Sequence, residues 1–466
     1  MRKPPLFNLG SWRSLDGSGG GSVLRLPANH LVTHGVVVGM TGSGKTGLLT
    51  VLVEEALRNE VPTLVIDVKG DLPNLLLSFP SFDASTLAPW VDVNGAGESE
   101  TAASLAEQLA HERRDALAAW SLGEPELRAF AAGTEVRVLT PGAAAGELLH
   151  VLSPLEVRSN RWDTDPDSAR HALSAAVSLV LRLLGRDSDP ARSREHVLLS
   201  ILAERRLLAG QNAELGALMQ DIVAPPIAEI GALPINSFLR KSERQHLAAA
   251  LNALLASPTF ASWRQGVPLD VGAWLTPKNG RTPAVIVSVA HLDDEERALV
   301  LGVLLEEVLS WVRTLRGSSR LRALVVFDEV FGFLPPHPAN PPTKRPLVSL
   351  MKQARAFGVG VLVATQNPMD LDYRALSNAG LWSLGRLQTD ADRHRVLDGI
   401  ATNDADRTEK QLHQTLKRLA PRWFVMRNAN ASSGPILMQP RQTLSLMRGP
   451  MTRVEVRAAR EARVGT

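Results

Sequence analysis

Residues Gly39-Met40-Thr41-Gly42-Ser43-Gly44-Lys45-Thr46 have the form G-x-x-x-x-G-K-T, and they sit between the apolar run Val36-Val37-Val38 and a helix-patterned stretch from Leu48 to Leu57. A strand that must turn at once into a helix while wrapping a chain of phosphates needs glycine, because only glycine lets backbone amides approach so closely. The spacing predicts that Gly39, Gly42 and Gly44 make the turn. Met40, Thr41, Ser43 and Gly47 complete a cradle of N–H groups backed by the positive end of the helix. Lys45 then reaches the β and γ phosphates, and Thr46 offers its hydroxyl to the magnesium ion between them. This requires an α/β core with a strand, a phosphate loop and a helix in that order, and ATP with Mg2+ as the expected ligands.

Two further apolar runs end on polar residues. Leu324-Val325-Val326-Phe327 finishes on Asp328-Glu329, and Val359 to Ala364 finishes on Thr365-Gln366. Both read as buried parallel strands, whose carboxyl ends are where ligands of open α/β sheets gather. Asp328 is then the candidate metal residue, Glu329 the group that polarises an attacking water, and Gln366 the group that senses the γ phosphate or that water. A fourth run, Thr63 to Ile66, leads into Asp67-Val68-Lys69-Gly70-Asp71, with Asp67 and Lys69 either near the nucleotide or in a salt-bridged loop.

Composition removes several alternatives. The chain has 466 residues, 44% hydrophobic and 21% charged, which is long enough for two or three domains or one large elaborated domain. Zero cysteines exclude disulfides and thiolate chemistry, and the eleven histidines are scattered. The apolar helical stretches Ala172 to Gly185 and Ala298 to Val312 are interrupted by Arg182 and by Glu306-Glu307, so neither offers a membrane span, and a soluble cytoplasmic protein is expected. The formal net charge of +3 does not announce a nucleic-acid binder. Local candidates are the arginines at 453, 457, 460 and 463, and the proline-rich Leu334 to Pro346 with its Lys344-Arg345 pair. Each reads more simply as a solvated helix or an exposed connector.

Along the chain, residues 1–34 form an amino-terminal segment whose Asp16 to Ser22 (DGSGGGS) is a turn between two short strands or a linker. Residues 35–147 hold the first part of the nucleotide-binding core. Residues 148–282 read as a helical insertion with segments at Ser168 to Leu184, Ser193 to Leu208, Ala213 to Val223 and Ser242 to Leu255. Residues 283–440 resume the core, with a capping box at Asp293 to Glu296 opening a long helix. Residues 441–466 form a basic tail.

These words resemble the FtsK and HerA division of P-loop ATPases, ring-forming motors related to RecA. The likeness is carried by THGVVVGMTGSGKT (Thr33 to Thr46), IDVKGDLPNL (Ile66 to Leu75), KQARAFGVGVLVATQNP (Lys352 to Pro368) and LSNAGLWSLGRLQTDADRHRVLDG (Leu376 to Gly399). It implies a RecA-like core with a mainly parallel central sheet, and a Mg-dependent ATPase acting as a homo-oligomer, hexamer favoured, on double-stranded DNA. Such rings need a cation from the adjacent subunit, and the candidates are Arg355, Arg386 and Arg395, the last two matching arginines of the FtsK-like words. Two departures stand out. About thirty residues precede the loop, too few for the β-barrel of HerA motors, and Asn367-Pro368 replaces an arginine-proline pair. The short amino terminus suits the rival expectation of an ATP-regulated switch that controls a partner nuclease or effector. A protein-translocating ATPase of the type IV secretion kind is the third.

Overall fold

The computed structural model describes residues 4–464 apart from 17, 19, 93–100, 369–370, 373–375, 377–378, 401–404 and 432–433. Ser377 and Asn378 of the Leu376 to Gly399 word therefore lie outside the described residues.

An 11-stranded sheet organises the chain. Its strands are β1 (Leu6–Ser14), β2 (Ser22–Pro27), β3 (Gly35–Val38), β4 (Thr63–Asp67), β5 (Thr134–Leu139), β6 (Thr282–Ser288), β7 (Ala323–Asp328), β8 (Val359–Thr365), β9 (Leu381–Leu384), β10 (Phe424–Asn428) and β11 (Ile436–Pro440). The spatial order is β2-β1-β11-β10-β9-β3-β8-β7-β4-β6-β5. Strands β9 through β5 in that order are all mutually parallel. From β9 outward to β2 every pairing is antiparallel.

The parallel strands read as unbroken apolar runs because both of their faces are covered. In β3, Val36 and Val38 enter one apolar cluster while Val37 enters the other; in β7, Val325 and Phe327 face one way and Leu324 and Val326 the other. On the Val37 side lie α1 (Lys45–Arg58), α2 (Ala102–Ala118) and α3 (Glu124–Gly133). The opposite side carries α4 (Pro166–Leu183), α5 (Arg194–Leu208), α6 (Leu215–Val223), α7 (Lys241–Ala256), α8 (Asp294–Thr314) and α9 (Lys344–Gln353). Asp293 caps α8 through the Glu296 N–H, and Glu296 returns the bond. The helices between residues 148 and 282 share one apolar cluster with the sheet, through α4 packed on α8. Towards the carboxyl terminus come α10 (Asp390–Ile400), α11 (Ala405–Arg418) and α12 (Arg453–Val464).

The two termini are built into this core. β1 lies between β2 and β11. Arg441, just after β11, is fully buried between two carboxylates of α1, at 2.8 Å from Glu54 and 2.9 Å from Glu55. Glu54 also accepts the Leu444 and Ser445 N–H groups. Every charge in this knot has a partner, the condition under which buried ions are tolerated. In α12, Val456 and Ala459 are buried, and Arg457 and Arg460 donate to the Ala144 and Ala145 carbonyls.

His34, at the amino end of β3, carries a pH dependence. Its Nδ1 accepts the Val361 N–H at 3.1 Å, and burial, with the Arg355 charge nearby, lowers its pKa to about 4. An unfolded histidine titrates near 6.5, so between those values the unfolded chain holds the extra proton and folding weakens as pH falls. Going from pH 7 to 4.5, His34 alone should remove about 2 to 3 kcal/mol. Asp67 and Asp328, whose pKa values are raised, act in the opposite direction over part of this range. The comparison is therefore wild type against His34→Asn in urea unfolding. The variant should be the less acid-sensitive by that amount, and parallel losses in both would refute the assignment.

Candidate functional site

The phosphate loop leaves β3 and enters α1 at the carboxyl edge of the parallel sheet. Gly42 and Gly44 have φ of 77° and 94°, a region that side-chain-bearing residues avoid. A Cβ on Gly39 would lie 2.6 Å from Ser43 Oγ, so glycine at 39 is a packing requirement as well. The loop is pinned from both flanks. Gly39 N–H donates to the Thr365 carbonyl at 3.3 Å, and Met40 N–H to that of Arg386 at 3.0 Å.

Lys45 is buried, with Nζ donating to the carbonyls of Gly39 at 2.5 Å and Met40 at 3.1 Å. Burial and the nearby Lys69 lower its pKa to about 8, although Glu329 and Asp328 pull the other way. Thr46 follows in the first turn of α1 and is half-buried, as is Gly47. Thr41 is exposed, and its hydroxyl donates to Gln366 Oε1 at 2.6 Å. That bond joins the loop to the end of β8, so Gln366 touches the loop directly.

Strand β8 lies between β3 and β7, which places Asp328 and Glu329 one strand beyond Gln366. Glu329 has φ 64° and is buried; Oε1 accepts the Thr365 hydroxyl at 3.3 Å and the Gln366 N–H at 3.2 Å, and Oε2 pairs with Lys69 Nζ at 2.6 Å. The carboxylate is thus aimed by three donors from two strand ends. Burial, reinforced by the Asp67 carboxylate, pushes the pKa of Asp328 up to about 7. Its Oδ2 is buried with no hydrogen-bond partner among the described residues. A buried carboxylate oxygen without a donor calls for a proton or a cation. Asp328, with the Thr46 hydroxyl at the start of the helix two strands over, therefore fits a magnesium ion whose remaining ligands would be substrate oxygens and water.

Asp67 is occupied structurally. It accepts the Gly70 and Leu72 N–H groups and the Ser288 hydroxyl, and burial raises its pKa to about 6. Lys69 is the partner of Glu329, so the IDVKGD word supplies a residue of the site.

The three arginines separate. Arg386 follows β9, is exposed, and lends its carbonyl to the loop. Arg395 is half-buried on α10. Arg355 precedes β8, at the amino edge of the sheet beside His34. Seven residues of β8 separate it from the loop, about 23 Å at 3.3 Å per residue. One contact escaped the sequence reading altogether. Arg422, at φ 63°, donates its N–H to the Ser43 carbonyl at 2.9 Å, and a Cβ on Gly44 would meet its side chain at 3.1 Å. No periodicity or motif marks Arg422; only the return of the chain into β10 brings it there.

Known proteins share this fold. Residues 15–89 match the family described as Helicase HerA, central domain. No curated protein matches the chain by sequence at a significant level. Among solved structures, VirB4 of Thermoanaerobacter pseudethanolicus is 13% identical, with 94% of this chain and 97% of that chain covered at a TM-score of 0.53. The plasmid coupling protein TrwB with the GTP analogue GDPNP is 14% identical, covering 97% and 98% at 0.51. TrwB with the ATP analogue ADPNP is also 14% identical, covering 96% and 98% at 0.50. Among the described residues no helix is long and apolar enough to cross a membrane. Residues 15–89 thus resemble the central domain of the HerA helicase family, and the chain shares its fold with the VirB4 and TrwB structures.

Proposed function

We propose that this chain is a magnesium-dependent ATPase that works as a cytoplasmic oligomeric motor, a ring of six favoured, with double-stranded DNA as its track. The observation that carries the ATPase reading is the convergence of Lys45, Asp328, Glu329 and Gln366 on one sheet edge, from segments almost three hundred residues apart. Lys45 and the loop amides bind and orient the triphosphate, taking up charge that spreads over its oxygens as the γ-phosphoryl departs. Thr46 and Asp328 would hold a magnesium ion, which would supply charge neutralisation to the phosphate oxygens. Glu329 accepts a proton from the attacking water. Gln366, tied to Thr41, reports the state of the loop to β8. Arg386, exposed beside the loop, is the best-placed cation for a neighbouring subunit's γ phosphate. Arg395 and Arg355 can take that part only across an interface that brings α10 or the amino edge to another subunit's loop.

Two other readings have specific support. The ion pair from Lys69 occupies Oε2 of Glu329, and Thr365 and Gln366 occupy Oε1, so neither oxygen is free for an attacking water, which favours slow turnover and hence an ATP-regulated switch for a partner nuclease or effector. The fold likeness to VirB4 and TrwB favours a translocating ATPase of the type IV secretion kind. Turnover measured with and without duplex DNA, together with the mass of the assembly in solution, separates them. A ring whose turnover rises with DNA supports the motor. Slow, DNA-insensitive turnover with nucleotide-dependent capture of a protein partner rejects it in favour of a switch.

A further inference from the structure

The edge of the sheet opposite the phosphate loop concentrates positive charge. Residues 313–322 (RTLRGSSRLR) run from the end of α8 to the start of β7, and residues 352–358 (KQARAFG) run from α9 to β8; neither segment contains an Asp or Glu. They lie side by side, with Ser318 N–H donating to the Ala356 carbonyl at 3.0 Å and Arg322 N–H to that of Gly358 at 2.7 Å. Arg313, Arg316, Arg320, Arg322, Lys352 and Arg355 are all exposed on this platform. Arg313 and Lys352 occupy the last turns of α8 and α9, where a cation also complements the helix carbonyls. Arg316, Arg320 and Arg322 have no such duty, and among the described residues none of the three forms an ion pair. Some exposed arginines elsewhere pair, as Arg128 does with Glu124, Arg182 with Glu295 and Arg192 with Asp189.

We propose that this amino edge is a docking surface for the phosphate backbone of a nucleic acid duplex, with Arg316, Arg320 and Arg322 as its centre. The inference rests on the DNA reading given above and assigns it a surface. Six clustered cations, none of them in an ion pair among the described residues and only Arg313 facing a carboxylate, Glu306, answer a polyanion. Ser319 and Gln353 between them add neutral donors of the kind that accompany arginine at phosphates. No large exposed apolar side chain lies in either segment, so the platform lacks the wedge of a membrane-inserting surface and the anchor of a protein hot spot. The backbone bonds between the two segments hold the charges on rigid elements, so little order is lost when they meet a stiff duplex. Because nucleotide binds at the carboxyl edge, about 23 Å away along β8, contact here is separable from hydrolysis.

The test uses the full chain and a fluorescent 20-base-pair duplex of random sequence, about two helical turns. Wild type, the triple variant Arg316→Gln/Arg320→Gln/Arg322→Gln and a control with the same change of charge, Arg128→Gln/Arg182→Gln/Arg192→Gln, are compared across a salt series. The platform variant should bind at least ~10-fold more weakly, with a log-log salt slope shallower by about 3, while the control follows wild type. Turnover without DNA should be unchanged in both. DNA binding by wild type that the platform variant retains in full overturns the surface and leaves the motor reading standing. Wild type that hydrolyses ATP and does not bind duplex overturns both. Platform-dependent binding to phosphatidylserine vesicles with DNA binding unaffected overturns the proposal in favour of a membrane.

Discussion

Lys45→Ala should abolish ATP turnover, by ~10³-fold or more, while leaving the protein folded and at least as stable as wild type. The loss of rate follows from removing a buried cation aimed at the position where phosphate charge develops, a setting in which even one neutral donor is worth ~10² to 10³. The stability half of the expectation comes from the same burial. An ammonium whose pKa is lowered from 10.5 to about 8 is held in its charged form at neutral pH against the preference of its surroundings. The sign is that of a depressed base. The penalty is fully present below pH 8, shrinks as pH rises through 8 to 10.5, and reaches roughly 3 kcal/mol at most. Removing the amine relieves it; the Met40 carbonyl that Lys45 engages is on a half-buried residue, whereas the buried Gly39 carbonyl loses this donor, which offsets the gain by about 1 to 3 kcal/mol. Steady-state turnover and a melting curve check both halves. Unchanged turnover would dismiss the site, and a collapsed melting curve would mean that Lys45 is a structural residue.

Glu329→Gln should separate binding from chemistry. The amide keeps an Oε1 that can accept from Thr365 and Gln366, so the end of β8 stays tied to the end of β7. What disappears is the capacity to take a proton, for which a turnover loss of ~10² to 10⁴ is expected. ATP affinity should stay within a few-fold of wild type, because the phosphate contacts come from the loop and Lys45. The change also frees Lys69 from its ion pair; Lys69 is about one-third exposed, so this costs little stability. A variant that turns over within ten-fold of wild type would remove Glu329 from the mechanism. One that no longer binds ATP would show that the glutamate organises the loop instead.

Much of the parallel core was legible as sequence. Strands buried on both faces must be apolar at every position, so β3, β4, β7 and β8 stand out as short valine- and leucine-rich runs ending abruptly on polar residues. The loop glycines are legible because a backbone at φ near 80° tolerates little else. The helices between 148 and 282 show in their 3.6-residue periodicity. Strands β1 and β2 were less distinct, read only as two short strands or a linker, because each is paired antiparallel and half-buried, with polar residues alternating. The arginine of the carboxyl-terminal segment that matters most to the core, Arg441, was indistinguishable from its solvated neighbours. Its burial depends on Glu54 and Glu55, almost four hundred residues earlier.

Local chemistry by itself determined that the chain has a phosphate cradle, a strand ending in two acids and a strand ending in glutamine, because each depends on a few consecutive residues and the conformations they permit. Only the tertiary structure decided that Lys69 is the residue gripping Glu329, that Thr41 reaches Gln366, that Arg422 walls the loop, and that Arg355 stands at the far edge from the phosphates. Those facts depend on which strands become neighbours. Sheet order is set by the packing of helices on both faces, and that is a property of the whole chain that no short stretch of it encodes.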